Sequence, residues 1–118
     1  MATISTHTLN SVDGTHADCL TLRVLRIGAD GKRTLILAGE TDAGGRFVHD
    51  LTGDEIDTNA EYELELDVAD YFQRKGIADA QDRALNVAVI RFRMPDVQGK
   101  YHMPFMLAPH SYSVWMAR

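Results

Sequence analysis

Residues 62–67, read as Tyr62-Glu63-Leu64-Glu65-Leu66-Asp67, alternate strictly between apolar and acidic side chains. Alternation with a period of two is typical of a β-strand that has one face on a core and the other face towards water. Antiparallel sheets commonly present such faces. This stretch therefore predicts an antiparallel sheet whose acidic face meets solvent.

The sequence on both sides of this stretch predicts more strands, separated by turns. Residues 20–27 and 33–40 are β-compatible runs joined by a turn containing Asp30-Gly31, which predicts a hairpin. A second glycine turn, Gly44-Gly45, leads into a short strand over residues 46–49. Three further extended segments are predicted over residues 84–94, 101–107 and 111–116.

One segment predicts a helix instead. Asp67 can cap a helix over residues 68–75, Arg74 and Lys75 suit its last turn, and Gly76 can end it. One short helix among seven or eight strands indicates an all-β fold, a β-sandwich. The 118 residues suit one domain spanning residues 1–118.

Charge and cysteine content exclude several classes of partner. The net charge is -5, and lysine and arginine are scattered, so neither nucleic acid nor an anionic membrane is an expected partner. Cys19 is the only cysteine, which predicts a reducing compartment and a small core or edge residue rather than a nucleophile. No apolar run approaches the ~20 residues that span a bilayer. We expect a soluble, cytoplasmic protein.

Two histidines, His7 and His102, are candidates for function because each interrupts a strand-like run. A group that titrates near neutrality is costly to bury, so such a position favours a use for its proton, although a hydrogen-bonded structural role explains either histidine alone. The five histidines show no His-x-x-x-His spacing around a glutamate, and one cysteine cannot build a thiolate site, so no metal site is predicted. No glycine-rich phosphate loop precedes a helix, which argues against nucleotide binding.

Four segments resemble, in the same order, the transthyretin-related proteins and 5-hydroxyisourate hydrolases. They are residues 4–10 (ISTHTLN), 44–46 (GGR), 62–72 (YELELDVADYF) and 101–109 (YHMPFMLAP). The resemblance implies a transthyretin-like, eight-stranded antiparallel β-sandwich with one short helix. It also implies a homotetramer, a dimer of dimers, with active sites in a central channel. The implied activity is hydrolysis of the ring amide of 5-hydroxyisourate in purine (urate) catabolism, with neither metal nor organic cofactor.

The resemblance places three catalytic residues on His7, Arg46 and His102. Proton transfer to and from water suits imidazoles, and a planar guanidinium suits an oxygen-rich ring, so the residue types agree with amide hydrolysis. Strand alternation places His102 on the opposite face from Tyr101 and Met103, away from the core. Without the resemblance, Arg46 is most simply a solvated charge at a turn.

The C-terminus departs from the family, whose hydrolases typically end in Tyr-Arg-Gly-Ser. The aligned residues here are Trp115-Met116-Ala117-Arg118. Trp115 can mimic the family's aromatic residue, and Arg118 is a candidate to replace the missing arginine. Ser113, on the strand that leads to this end, is a further candidate to hydrogen-bond substrate.

Two more departures lie near His7: Asn10 stands where the family often has aspartate, and His16 where it often has proline. The altered residues leave alternatives open. The chain is predicted to be a hydroxyisourate hydrolase, a hydrolase of another cyclic ureide, a transthyretin-like binding protein with a more apolar channel, or a catalytically silent relative. His7, Arg46 and His102 favour a hydrolase, whereas Trp115 and Met116 indicate an altered pocket.

Overall fold

Two four-stranded β-sheets enclose one apolar core in a computed structural model that describes residues 1–79, 81 and 83–117. The first sheet has the strand order β4-β1-β7-β8 and the second has the order β3-β2-β5-β6. The bounds are β1 (Ala2–Asn10), β2 (Thr21–Ile27), β3 (Arg33–Glu40), β4 (Arg46–Leu51), β5 (Glu61–Leu66), α1 (Val68–Arg74), β6 (Ala88–Arg93), β7 (Lys100–Ala108) and β8 (Ser111–Val114), with a 3-10 turn at Gly53–Glu55 between β4 and β5. The predicted transthyretin-like sandwich with one short α-helix is confirmed.

Within the described residues, the strand pairs are antiparallel with one exception. Strands β1 and β7 run parallel, so that residues near the two ends of the chain lie side by side at the centre of the first sheet. The predicted hairpin is confirmed as β2 and β3. The strand predicted over residues 84–94 is shorter than expected, because regular pairing with β5 begins only at Ala88.

Strand β5 confirms the alternation that predicted the sheet, but one acidic residue departs from it. Tyr62, Leu64 and Leu66 are buried in the core as expected. Glu63 was expected to meet water, yet it is only 4% exposed, because Arg33 of β3 and Arg91 of β6 cover it.

The two arginines donate hydrogen bonds of 2.7 and 2.9 Å to Glu63 Oε1. Burial by itself raises the pKa of the Glu63 carboxyl, but the hydrogen bonds and charges of Arg33 and Arg91 outweigh burial and lower it. The outer face of the second sheet is therefore an ion-pair layer rather than a simply hydrated surface.

The helix lies where the sequence predicts it, but the Asp67 side chain does not cap its first turn. Asp67 occupies the position before the helix, but its carboxylate accepts a 3.0 Å hydrogen bond from Arg23 and makes no side-chain bond to the described helix backbone. Gly76, with φ of 71°, follows the last turn as expected.

Cys19 is not a core residue. It is exposed in the turn before β2, where it adopts a φ of 52°. Among the described helices, none is long and apolar enough to cross a membrane.

Candidate active site

The three predicted catalytic side chains all lie on the face of the first sheet that points away from the core. In β1, burial alternates strictly, with Ile4 and Thr6 inside and Ser5 and His7 outside. In β7, the buried residues are the odd-numbered ones, so His102 faces outward as the sequence predicts. We call this surface the site face; the residues used below that lie on it are Ser5, His7, Arg46, Val48, His102, Pro104, Met106, Ser113 and Trp115.

The pairing register brings these side chains together. His7 of β1 lies directly opposite Arg46 of β4, and Ser5 of β1 lies opposite His102 of β7. Neighbouring strands are about 4.8 Å apart, and alternate residues along one strand are about 6.6 Å apart. His7, Arg46 and His102 therefore form one cluster across three adjacent strands, β4, β1 and β7.

A tight turn places Arg46 in this cluster. Asp42 Oδ1 accepts hydrogen bonds of 2.9 Å from the backbone N–H groups of Gly44 and Arg46, which closes the turn that starts β4. Gly45 adopts a φ of 72°, and its carbonyl accepts a 2.8 Å hydrogen bond from the Thr8 N–H. A Cβ atom at Gly45 would lie 2.4 Å from the Thr8 carbonyl oxygen, so only glycine permits this close approach to β1.

His102 is held by one ring nitrogen. Its Nδ1 lies 2.8 Å from Ser5 Oγ, and within the described chain Nε2 has no hydrogen-bond partner. The backbone carbonyl of His102 accepts a 2.8 Å hydrogen bond from the Ala117 N–H, which ties the C-terminal segment to the same place on β7. An imidazole oriented through one nitrogen and open at the other is suited to transfer a proton.

His7 is held by a second histidine. Its Nε2 lies 3.1 Å from His16 Nδ1, and the two rings stack with their centroids 5.2 Å apart. Partial burial lowers the pKa of His7 below its ordinary value, and the charges of Arg46, His16 and, more weakly, His102 lower it further, against a hydrogen bond to the Gly44 backbone that raises it. His7 is therefore a neutral imidazole near neutral pH.

The C-terminal residues divide between the site face and the core. Strand β8 pairs with β7, and the same register continues to the bridge between Ala117 and His102. Trp115 is 51% exposed and lies on the site face, next to the His102 end of β7. Met116, which replaces the family's arginine, is half-buried and packs against the core.

The remaining predicted binding residues are less close to the cluster. Ser113 is exposed and lies opposite Met106, which is four residues, or about 13 Å, along β7 from His102. Arg118 lies outside the described residues. Ser113 shares the site face with the cluster but does not contact it.

Sequence reasoning missed Ser5, and it noted His16 only as a departure near His7 without predicting the contact between the two rings. Ser5 precedes His7 by two positions in a strand, so alternation alone places it on the same face and could have found it. His16 reaches His7 only because the turn after β1 folds back onto the strand, which no local pattern indicates. In the part of the chain that the structure describes, no three side chains from His, Cys, Asp or Glu come together as a metal site.

Comparisons with known proteins match nearly the whole chain. The model of the HIUase/Transthyretin family matches residues 4–116. The 5-hydroxyisourate hydrolase of Deinococcus radiodurans is 34% identical over 113 residues, which cover 95% of this chain and 92% of that protein.

Two solved structures share the fold. The 5-hydroxyisourate hydrolase of Klebsiella pneumoniae superposes with a TM-score of 0.77 at 25% identity and covers all of both chains. Sea bream transthyretin in complex with thyroxine superposes with a TM-score of 0.83 at 28% identity, over 97% of this chain and 93% of that one. The chain belongs to the HIUase/Transthyretin family.

Proposed function

We propose that this protein is a cofactor-independent hydrolase that opens the ring amide of 5-hydroxyisourate, a step of purine (urate) catabolism. The single observation that carries the proposal is the convergence of His7, Arg46 and His102 on the site face. Relatives that match nearly the full length of the chain are 5-hydroxyisourate hydrolases. A pure carrier has no need of two imidazoles and a guanidinium in one cluster.

In this proposal His102 is the general base. When its Nδ1–H donates to Ser5 Oγ, Nε2 carries a free lone pair that points to solvent and can take a proton from the attacking water. The water oxygen bonds to the ring carbonyl carbon, the carbon–nitrogen bond breaks, and the protonated His102 returns the proton to the leaving nitrogen. Protons and electrons balance without any further reactant.

Arg46 stabilises charge on the substrate, and His7 lies beside it as a neutral ring. The Arg46 guanidinium stays protonated and offers paired donors to the oxygen-rich ring and to the oxyanion that develops during water attack. Because burial, Arg46 and His16 lower the pKa of His7, its ring stays neutral beside this cation and does not add a second positive charge. His7 therefore lies beside the substrate as a neutral ring rather than as a second cation.

The C-terminal segment forms one side of the proposed pocket. The exposed indole of Trp115 is in place to stack on a planar ring held at His102. Met116 cannot supply the charge of the family's arginine, because its thioether is neutral, and its side chain packs against the core. Arg118 remains the proposed source of that charge, and Ser113 a more distant polar contact.

We also propose that the chain assembles as a homotetramer that covers the site face. Val48 and Met106 are 64% and 43% exposed on this face, beside the half-exposed Trp115. Exposed apolar side chains on one surface are typical of an interface between subunits. Analytical ultracentrifugation should give a particle mass four times the 13.1 kDa of one chain. A stable monomer at micromolar protein concentration would contradict the proposed tetramer.

The enzymatic proposal has a direct test. Freshly made 5-hydroxyisourate should lose its near-ultraviolet absorbance faster with the protein than in buffer, and Arg46→Lys should slow this loss about tenfold, because lysine keeps the charge but not the paired donors. Equal decay with and without the wild-type protein would contradict hydrolysis of this substrate. Binding of the compound without turnover would favour the transthyretin-like carrier instead.

A further inference from the structure

His16 is held beside His7 by the backbone. The turn after β1 folds back so that Asn10 N–H donates to the Thr15 carbonyl at 2.8 Å and Ala17 N–H donates to the Thr8 carbonyl at 2.9 Å. His16 thereby bridges with Leu9, a neighbour of His7. Main-chain hydrogen bonds therefore hold the backbone of His16 beside β1, within reach of the His7 ring.

The side-chain contact between the two histidines is specific. His7 Nε2 and His16 Nδ1 are 3.1 Å apart, and the rings are inclined by only 23°. A neutral pair shares one N–H between these two nitrogens, so the contact holds the tilt of the two rings and couples the tautomer of one ring to that of the other.

His16 has no comparable structural role. It is exposed and does not belong to the core, so its imidazole adds little to folding. Other groups that face His7 are Arg46 from β4 and His102 from β7, while the nearby Asp42 carboxylate is occupied by backbone N–H groups. Among the side chains that face His7, His16 alone makes a hydrogen bond with its ring in the described residues.

We propose that His16 is a positioning residue for the hydrolytic reaction: its hydrogen bond to Nε2 of His7 fixes the orientation of the His7 ring beside Arg46. The proposal rests on the function proposed above and assigns a role to a position where relatives often have proline. A proton on the His7 ring would also place a positive charge next to Arg46. Partial burial, Arg46 and His16 are, in that order, the causes that lower the pKa of His7.

The test compares His16→Ala and His16→Asn with the control His110→Ala, which removes an exposed histidine from the turn before β8. Two quantities are measured for each protein: the pH midpoint of the His7 ring by NMR, and kcat/KM for 5-hydroxyisourate as a function of pH. Asparagine places an amide where His16 has Nδ1, so it can keep the hydrogen bond but cannot carry a charge.

His16→Ala should move the His7 midpoint upward, towards 6.5, because the lowering effect of His16 is lost. It should also lower the plateau of kcat/KM about five- to tenfold, the effect of one lost hydrogen bond. His16→Asn should raise the midpoint as well but restore most of the plateau, and His110→Ala should change neither quantity.

An unchanged His7 midpoint in His16→Ala, or a plateau as low in His16→Asn as in His16→Ala, would overturn the positioning role. The NMR measurement does not depend on turnover. If the wild-type protein fails to hydrolyse 5-hydroxyisourate, the proposed function fails, and the His7 midpoint still decides whether His16 controls the protonation of His7.

Discussion

His102→Ala is expected to lower kcat/KM for 5-hydroxyisourate by about 10²- to 10⁴-fold, the usual contribution of a positioned general base. The variant removes the His102 imidazole. Its Nδ1 is held by Ser5, and its Nε2 has no hydrogen-bond partner within the described residues. The measurement is the initial loss of near-ultraviolet absorbance of fresh substrate.

Two control variants distinguish the loss of the His102 base from the loss of its Ser5 partner and from the loss of any exposed histidine. Ser5→Ala keeps the imidazole but removes its 2.8 Å partner, so we expect a smaller loss of about tenfold. His110→Ala should retain wild-type activity, because His110 is exposed and outside the cluster. Circular dichroism should show an intact sheet in all three variants, and His102→Ala with activity within about threefold of wild type would exclude His102 as the base.

Gly45→Ala is expected to produce the largest loss of stability among simple substitutions near the site. A positive φ costs an ordinary residue about 1–2 kcal/mol, and at this position the new Cβ would also lie 2.4 Å from the Thr8 carbonyl oxygen. Relief of that clash requires β1 and the turn before β4 to separate. We expect a total loss of about 3 kcal/mol or more in the free energy of unfolding.

Gly14→Ala is the matched control for this change. Gly14 has a similar φ of 77°, but no atom lies within 4 Å of its added Cβ. Its loss should therefore be the cost of backbone conformation alone, about 1–2 kcal/mol. Urea unfolding of both variants measures the difference, and equal losses would show that the contact between Gly45 and Thr8 carries no strain.

The fold was largely predictable because the alternation of apolar and polar residues within each strand indicates which of its side chains are buried. Alternation in residues 62–67 identified a core strand, and the same alternation placed His102 on the outer face before any partner strand was known. A period-two pattern shows which side chains share a face. It contains no information about which strand lies next to it.

That missing information explains the errors. Glu63 is buried because Arg33 and Arg91, which are distant in the sequence, cover it. Asp67 was expected to cap the helix, but its carboxylate instead accepts a hydrogen bond from Arg23, which is also distant in the sequence. Of the candidate site, the family resemblance predicted His7, Arg46 and His102, and alternation predicted that His102 faces outward. The resemblance indicated His16 only as a departure near His7, and the contact between the two rings was not predicted, because it depends on a turn that folds back onto β1.

The parallel pairing of β1 with β7 has a consequence for the order in which the protein matures. Ser5 and His102 are 97 positions apart, so synthesis from the N-terminus produces the first histidine of the cluster long before the last. Until nearly the whole polypeptide has left the ribosome, β1 has one long edge without its native neighbour, and contacts of such large sequence separation close slowly. Catalytic competence should therefore arise only in a late event of folding, and a nascent chain stalled before residue 100 should be inert and prone to self-association through that open edge.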